Sequence, residues 1–238
     1  MLNVLAILRK ELRTYFSSPL AYVVIAAFLA AAGLFFAIRV WAQPGAPSAL
    51  DIVFEPLPVI LLLLAPVITM RLLAEEQKTG TVELLLTSPV RDWEVVIGKY
   101  LASLVLFLIP VAITLVYPLL LNRYTPPDPG PIIGGYIGLI LFGAAFLAVG
   151  LFTSSLTQNQ VVAALVAVII LLGLWMVGNF AGSTRPPVSD VLTYISVIDH
   201  YGEFSRGLID TRNVVYYLLV IVGSLFLTIR SLESRRWT

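Results

Sequence analysis

Six stretches of this chain, at about 20–41, 57–73, 100–121, 132–153, 161–180 and 214–229, are almost wholly apolar and hold no charged residue in their middle thirds. A helix needs roughly 20 such residues to cross the hydrocarbon of a bilayer. Inside lipid every backbone N–H and C=O must find its partner within the protein, which a helix does by itself. The pattern therefore predicts an all-α integral membrane protein with six transmembrane helices, read as a single membrane domain over 1–238. Composition agrees. Of 238 residues, 59% are hydrophobic and 12% charged, about half the charged share of a soluble domain. The chain has no cysteine, which excludes disulfides, thiolate metal sites and cysteine catalysis. Its one histidine, His200, leaves little room for a histidine metal site, and a net charge of +1 points to no nucleic-acid partner.

The first 16 residues differ from the spans. Leu5, Leu8, Leu12 and Tyr15 recur at helical spacing, with Arg9, Lys10 and Arg13 on other faces. That predicts an amphipathic helix lying in the headgroup layer. Ser18-Pro19 then reads as an N-cap and first-turn proline opening the first span. A signal peptide cleaved after Ala42 is the competing reading. The apolar stretch exceeds the usual 7–15 residues and the basic region sits too far in for it.

Placing the N-terminus in the cytoplasm and alternating through six spans puts Arg9, Lys10, Arg13, Arg71, Lys78, Arg91, Lys99, Arg230, Arg235 and Arg236 inside. Arg39, Arg123, Arg185, Arg206 and Arg212 fall outside. Acidic residues divide evenly, so the bias lies in the basic residues alone. It predicts that both termini are cytoplasmic.

Several chemistries are excluded. No G-x-x-x-x-G-K-[ST] loop is present, so the chain does not bind ATP in the P-loop manner. The spans carry no ionisable residue near midplane, which disfavours an ion-coupled pump. Ser154 and Ser155 fall at the opposite side of the membrane from His200, so a serine protease pair cannot assemble. Asp199-His200 reads as solvated surface in preference to a metal or proton site. Gly134 and Gly138 form a small-x-x-x-small pair that lets helices approach closely. Pro110 and Pro118 each remove a helical hydrogen bond from the third span. The connection 181–213 mixes Leu192, Ile195, Val197, Ile198, Phe204 and Leu208 with charges. It predicts short helices dipping into the outer leaflet, against a plain surface loop.

The segment 75–90 lies between the second and third spans. Gly80 with Thr79 or Thr81 can break one helix and cap the next. A short helix over 81–87 then carries Val82, Leu84, Leu85, Leu86 and one acid, Glu83. Ser88-Pro89 ends it, and Asp92 can cap the helix that continues into the third span. A short helix braced between two spans is what passing force from a soluble partner to the membrane requires.

The run E-E-x-x-x-G-T-x-E-L-L-L-T-S-P-V, built from Glu75, Glu76, Gly80, Thr81, Glu83, Leu84, Leu85, Leu86 and Pro89, is followed by Trp93, Glu94, Gly98 and Lys99. Together they resemble the coupling region of ABC-2 type ABC-transporter permeases. The tail from Tyr194 to Trp237, with Y-I-S-x-x-x-H-Y-x-x-F-S-R-G-x-I-D and L-E-S-R-R-W, is similar to the gliding-motility and nitrous-oxide-reductase-maturation branch. The resemblance implies a permease subunit with no catalytic residue or cofactor of its own. It implies a second permease copy, identical or paralogous. It also implies two copies of a separate ABC ATPase that carries ATP and magnesium and docks on the short helix. The expected setting is a bacterial cytoplasmic membrane, and the expected direction is export. The rival expectations are an ATPase-independent channel or secondary transporter, and a non-transporting membrane scaffold.

Overall fold

The computed structural model describes residues 2–42, 54–81, 90–123, 128–181 and 187–235. Among them every regular element is a helix. The order is α1 Leu2–Ser17, α2 Pro19–Ala42, α3 Leu57–Thr69, α4 Ala74–Lys78, α5 Asp92–Thr114, α6 Val116–Leu121, α7 Pro129–Leu156, α8 Gln160–Ala181, α9 Val188–Ile195, α10 Val197–Ser205 and α11 Thr211–Arg235. Six units are long and apolar enough to cross a membrane: α2, α3 with α4, α5 with α6, α7, α8 and α11. The chain is an all-α integral membrane protein.

α7 is the hub. It packs against α3, α5, α8, α10 and α11, and most of it is buried, as is α3. Phe142 and Phe146 of α7 lie in the core beside Trp175, Tyr201 and Tyr217. The outer faces of the flanking helices are apolar. Val161, Leu165, Ile169, Leu172, Met176 and Phe180 form an exposed stripe along α8, spaced three or four apart as one helical face requires. In water such a stripe is costly, whereas lipid tails solvate it.

The third span begins at Asp92, well before its apolar run at Tyr100. Arg91 holds the N-cap position and Asp92 falls inside the first turn, which corrects the expectation that Asp92 caps. The Glu94 carboxylate accepts from Arg91 N at 3.1 Å and so closes the turn itself. Pro110 is accommodated inside α5. Pro118 coincides with the break between α5 and α6. It has no N–H to give the Thr114 carbonyl, and the chain tightens there, with Leu115 N bonding back to Ala112 O at 3.2 Å.

The connection after α8 holds two short helices. α10 buries Val197, Tyr201 and Phe204, and the Tyr201 hydroxyl donates to Phe54 O at 3.0 Å. No residue of α9 is buried, and Val188, Val191, Tyr194 and Ile195 give it an exposed apolar face. The Gly134–Gly138 pair is where α10 sits on α7. A Cβ on Gly134 would come 2.6 Å from Phe204 O and 3.0 Å from Gly207 Cα. Both atoms are backbone, and Gly207 is fixed in a left-handed turn at φ +82, so neither can step aside cheaply. Gly134→Ala is expected to cost about 1–3 kcal/mol by overpacking. Gly173→Ala, where nothing lies within 4 Å, should leave thermal unfolding in detergent unchanged or slightly improved. Equal melting of the two variants would contradict this packing.

Candidate functional site

α3 and α4 are one span interrupted at 70–73. No glycine or proline occupies Met70-Arg71-Leu72-Leu73, so the break has no local cause. Side chains from three other helices satisfy the groups it frees. In a continuous helix Ile68 O would accept from Leu72 N, but Leu72 N turns to Thr69 O at 3.1 Å. The Tyr15 hydroxyl of α1 donates to Ile68 O instead, at 2.8 Å. The Ser154 hydroxyl of α7 accepts from Leu73 N and Ala74 N, both at 3.1 Å, and donates to Met70 O at 3.0 Å. Lys99 Nζ of α5 donates to Leu72 O at 2.8 Å. Beside it, Gln77 Nε2 donates to Ser155 O at 2.9 Å. Buried backbone groups need partners, and here the partners dictate the kink.

Lys99 is the centre of this end of the molecule. Its side chain is 1% exposed. The ammonium donates to Glu11 Oε1 at 2.9 Å and pairs with Glu76 Oε1 at 2.8 Å, so together with Leu72 O it has three oxygen partners. Lys10 closes the ring from the rim, 3.1 Å from Glu76 and 3.4 Å from Glu11. Two ammonium groups face two carboxylates, which is how charge can be buried at all. Burial opposes the charge on Lys10, but Glu76 and Glu11 outweigh it and hold its ammonium above the ordinary lysine value. Burial pushes the Tyr15 hydroxyl well above the usual phenol range, so it serves as a fixed donor. Arg71 pairs with Glu75 at 3.2 Å and donates to Ser18 Oγ at 3.3 Å.

The W-E-x-x-x-G-K motif now has a physical reading. Glu94 accepts from Asn3 Nδ2 of α1 at 3.0 Å. Gly98 is where α1 lies against α5, since a Cβ there would stand 2.8 Å from Ile7 Cγ2 and 3.2 Å from Val4 O. Lys99 reaches the ion network. α1 is therefore clamped onto α5, with Leu8, Leu12 and Tyr15 of the expected apolar face packed against the core. Leu5 of that face is exposed and Glu11 is buried instead, because Lys99 draws Glu11 inward.

Of the residues expected to couple to a partner, Glu75 and Glu76 stand on α4, with Glu76 turned into the ion network. Gly80 ends α4 in a left-handed turn at φ +69, with open space around its Cα. Thr79 Oγ1 donates to Glu75 O at 2.9 Å, and Thr81 Oγ1 to Glu76 O at 3.3 Å. Glu83, Leu84, Leu85, Leu86 and Pro89 lie outside the described residues, as does the rest of the expected short helix. The same applies to 182–186 in the later connection. The roles of Glu11, Lys10, Tyr15, Lys99 and Ser154 escaped the sequence reading. The one available signal was a lysine at the start of an apolar run. The surroundings form a cavity of about 280 Å³ lined by Lys10, Glu11, Arg71, Glu75, Glu76 and Lys99, open beside Thr79 and Thr81. Among the described residues no cluster of three metal-ligating side chains occurs.

The family described as ABC-2 family transporter protein matches residues 49–199. A protein described as a probable multidrug ABC transporter permease, YbhR of Escherichia coli K12, is 23% identical over 171 residues, which is 71% of this chain and 46% of that protein. Its counterpart in Escherichia coli O157:H7 is similar to the same extent. The chain thus spans about half the length of the curated relatives it matches. With a family match over more than half its length and six apolar helices, the chain belongs to the ABC-2 family of transporter proteins.

Proposed function

We propose that this chain is the membrane-spanning permease subunit of an ATP-binding-cassette transporter, driven by ATP hydrolysis in a separate ATPase subunit. The observation that supports it best is the anchoring of the 79–91 connection. One end hangs from α4, held by Glu76 and Gln77. The other enters α5, held by Glu94 and Lys99. The first end is tied to α1 through Lys10 and to α7 through Ser155, and the second to α1 through Asn3 and Glu11 and to α7 through Tyr100, whose hydroxyl donates to Ala144 O. A push delivered to the described ends of this connection is therefore passed to α1, α4, α5 and α7 together. On this reading two ATPases dock on two permease copies at 81–89. Their closure on ATP biases the permease pair between two arrangements, and the shift cannot exceed the difference in binding energy between the two states. The α1 face is the cytoplasmic one, both termini lie there, and transport runs outward across a bacterial cytoplasmic membrane.

Glu83→Ala and Gly80→Val test the docking site. A β-branched residue at φ +69 is strained, so Gly80→Val should misdirect the chain into 81–89. Glu83, if buried in a partner groove against a cation, should cost roughly 2–5 kcal/mol of binding when truncated. An exposed Glu83 would cost within about 0.5 kcal/mol. Both variants are expected to insert and fold, with Glu83→Ala melting like the parent and Gly80→Val somewhat lower because of its backbone strain. Both should recover less ATPase on purification and lose substrate-stimulated hydrolysis. Normal coupling in both would remove 81–89 as the docking site.

A further inference from the structure

On the face opposite α1, the only histidine of the chain ties three helices together. His200 of α10 sets Nδ1 2.6 Å from Asn213 Oδ1 at the start of α11. Its Nε2 lies 3.0 Å from the Tyr194 carbonyl in the last turn of α9. The same turn is held by the Tyr216 hydroxyl, which donates to Ile195 O at 2.6 Å. The Tyr217 hydroxyl donates to Val197 O at 2.8 Å. The imidazole is stacked on the Tyr216 ring, with centroids 4.1 Å apart and planes 26° apart.

Both atoms facing the imidazole are acceptors. A carbonyl oxygen cannot donate, and the Asn213 amide is oriented by Glu203, whose carboxylate Oε2 accepts from Asn213 Nδ2. A neutral imidazole has one N–H and can serve one of the two acceptors, whereas the imidazolium serves both. Turning the Asn213 amide over would set its oxygen against the Glu203 carboxylate, and that arrangement again needs a proton, on Glu203. Glu203 is exposed, where water solvates its carboxylate, while Asn213 is 3% exposed, so the unmatched contact falls on the imidazole. A cation there also faces the negative end of α9 and the face of an aromatic ring.

Among the described residues the charged groups on the surrounding elements are few. Asp190 lies in the first turn of α9. Asp199 and Glu203 share α10 with His200, and Arg206 follows at its C-cap. Asp199 Oδ2 is aimed at α8, within 2.5 Å of where a Gly178 Cβ would stand. Asp210 and Arg212 lead into α11, with Asp210 Oδ1 accepting from Arg212 N at 2.9 Å. α7 and α8 carry no charged residue.

We propose that His200 is a proton-operated latch. Taking up its second proton completes the bonds to Tyr194 O and Asn213 Oδ1 and fastens the α9–α10 hairpin to α11. Losing that proton frees one of the two bonds and loosens α9. No covalent bond changes, and the proton comes from the aqueous phase on that face. Histidine is the side chain whose charge ordinarily changes within the physiological pH range, so the hairpin is tied more firmly in acid. This inference does not depend on the transport reading.

The test uses the full chain in lipid nanodiscs with selectively labelled histidine. Its single imidazole gives one set of nitrogen signals, read beside amide hydrogen exchange over 188–205 and corrected for the intrinsic pH dependence of exchange. Between about pH 8 and about pH 5.5, protection of these amides is expected to rise on the order of tenfold, over the same range in which the ring gains its proton. In His200→Gln and His200→Phe the rise should vanish. Unchanged protection in the parent while the ring titrates would overturn the latch, and so would the same pH dependence persisting in either variant. The parent measurement decides by itself if the variants fail to fold.

Discussion

Replacing Lys99 with methionine is expected to destabilise the protein by about 3–5 kcal/mol, the cost of removing one partner from a buried charge set. Methionine has nearly the length of lysine, so the loss is electrostatic more than volumetric. Among the described residues the Lys99 ammonium alone touches both Glu11 and Glu76 from within the core, at 2.9 and 2.8 Å. Without it the two carboxylates share only Lys10, whose side chain is mostly in solvent. The Leu72 carbonyl at the break in the second span also loses its donor. Lys99→Arg should not rescue fully, since a planar guanidinium cannot point three donors as an ammonium does. Arg230→Ala is the comparison. Arg230 and Glu233 form an exposed pair at 2.8 Å, and such pairs contribute about 0–1 kcal/mol. Thermal unfolding in detergent separates the cases. If Lys99→Met melts like Arg230→Ala, the ion network does not hold this end together.

Ser154→Ala should be the next most damaging change, at about 2–4 kcal/mol. One hydroxyl accepts from two backbone N–H groups and donates to a carbonyl. Orphaned buried groups cost about 1–3 kcal/mol each, and part of that is recovered if 70–73 relaxes toward a continuous helix. Relaxation has a second consequence. A straightened span would swing α4 and Glu76 away from Lys99, so the variant should also release α1 and make it accessible to protease. Ser205→Ala is the control, because Ser205 only bonds back to Gly202 O within its own helix and should change stability by within about 0.5 kcal/mol. A Ser154→Ala protein as stable as Ser205→Ala would show that the kink does not need its cap.

These residues mark the limit of what the sequence shows. The six spans were legible because apolar length is a local property and lipid leaves the chain few alternatives. The close approach at Gly134 and Gly138 was legible as small residues at helical spacing, though nothing local named Phe204 as the neighbour. The break at 70–73 was invisible. It contains no breaker, and its partners Tyr15, Lys99 and Ser154 stand 27 to 84 positions away along the chain. The apolar face of α1 was legible through Leu8, Leu12 and Tyr15, but the burial of Glu11 was not, because it depends on a lysine 88 positions on. The start of α5 was legible to within one residue, because the charged turn at Asp92 reads as a helix opening, although Arg91 and not Asp92 takes the N-cap position. His200 was read as surface because its partners, Asn213 and Tyr216, reach it only after α11 folds back beside α10.

The central claim is that this permease works with a separate ATPase docked on its α1 face, and purification from its native membrane tests that most directly. Isolated in mild detergent with a tag after residue 238, the chain should bring with it an ABC ATPase in equal amount, two of each per complex by mass measurement, and the isolate should hydrolyse ATP. Recovery of the folded chain alone, with no ATPase and no hydrolysis, would contradict the account.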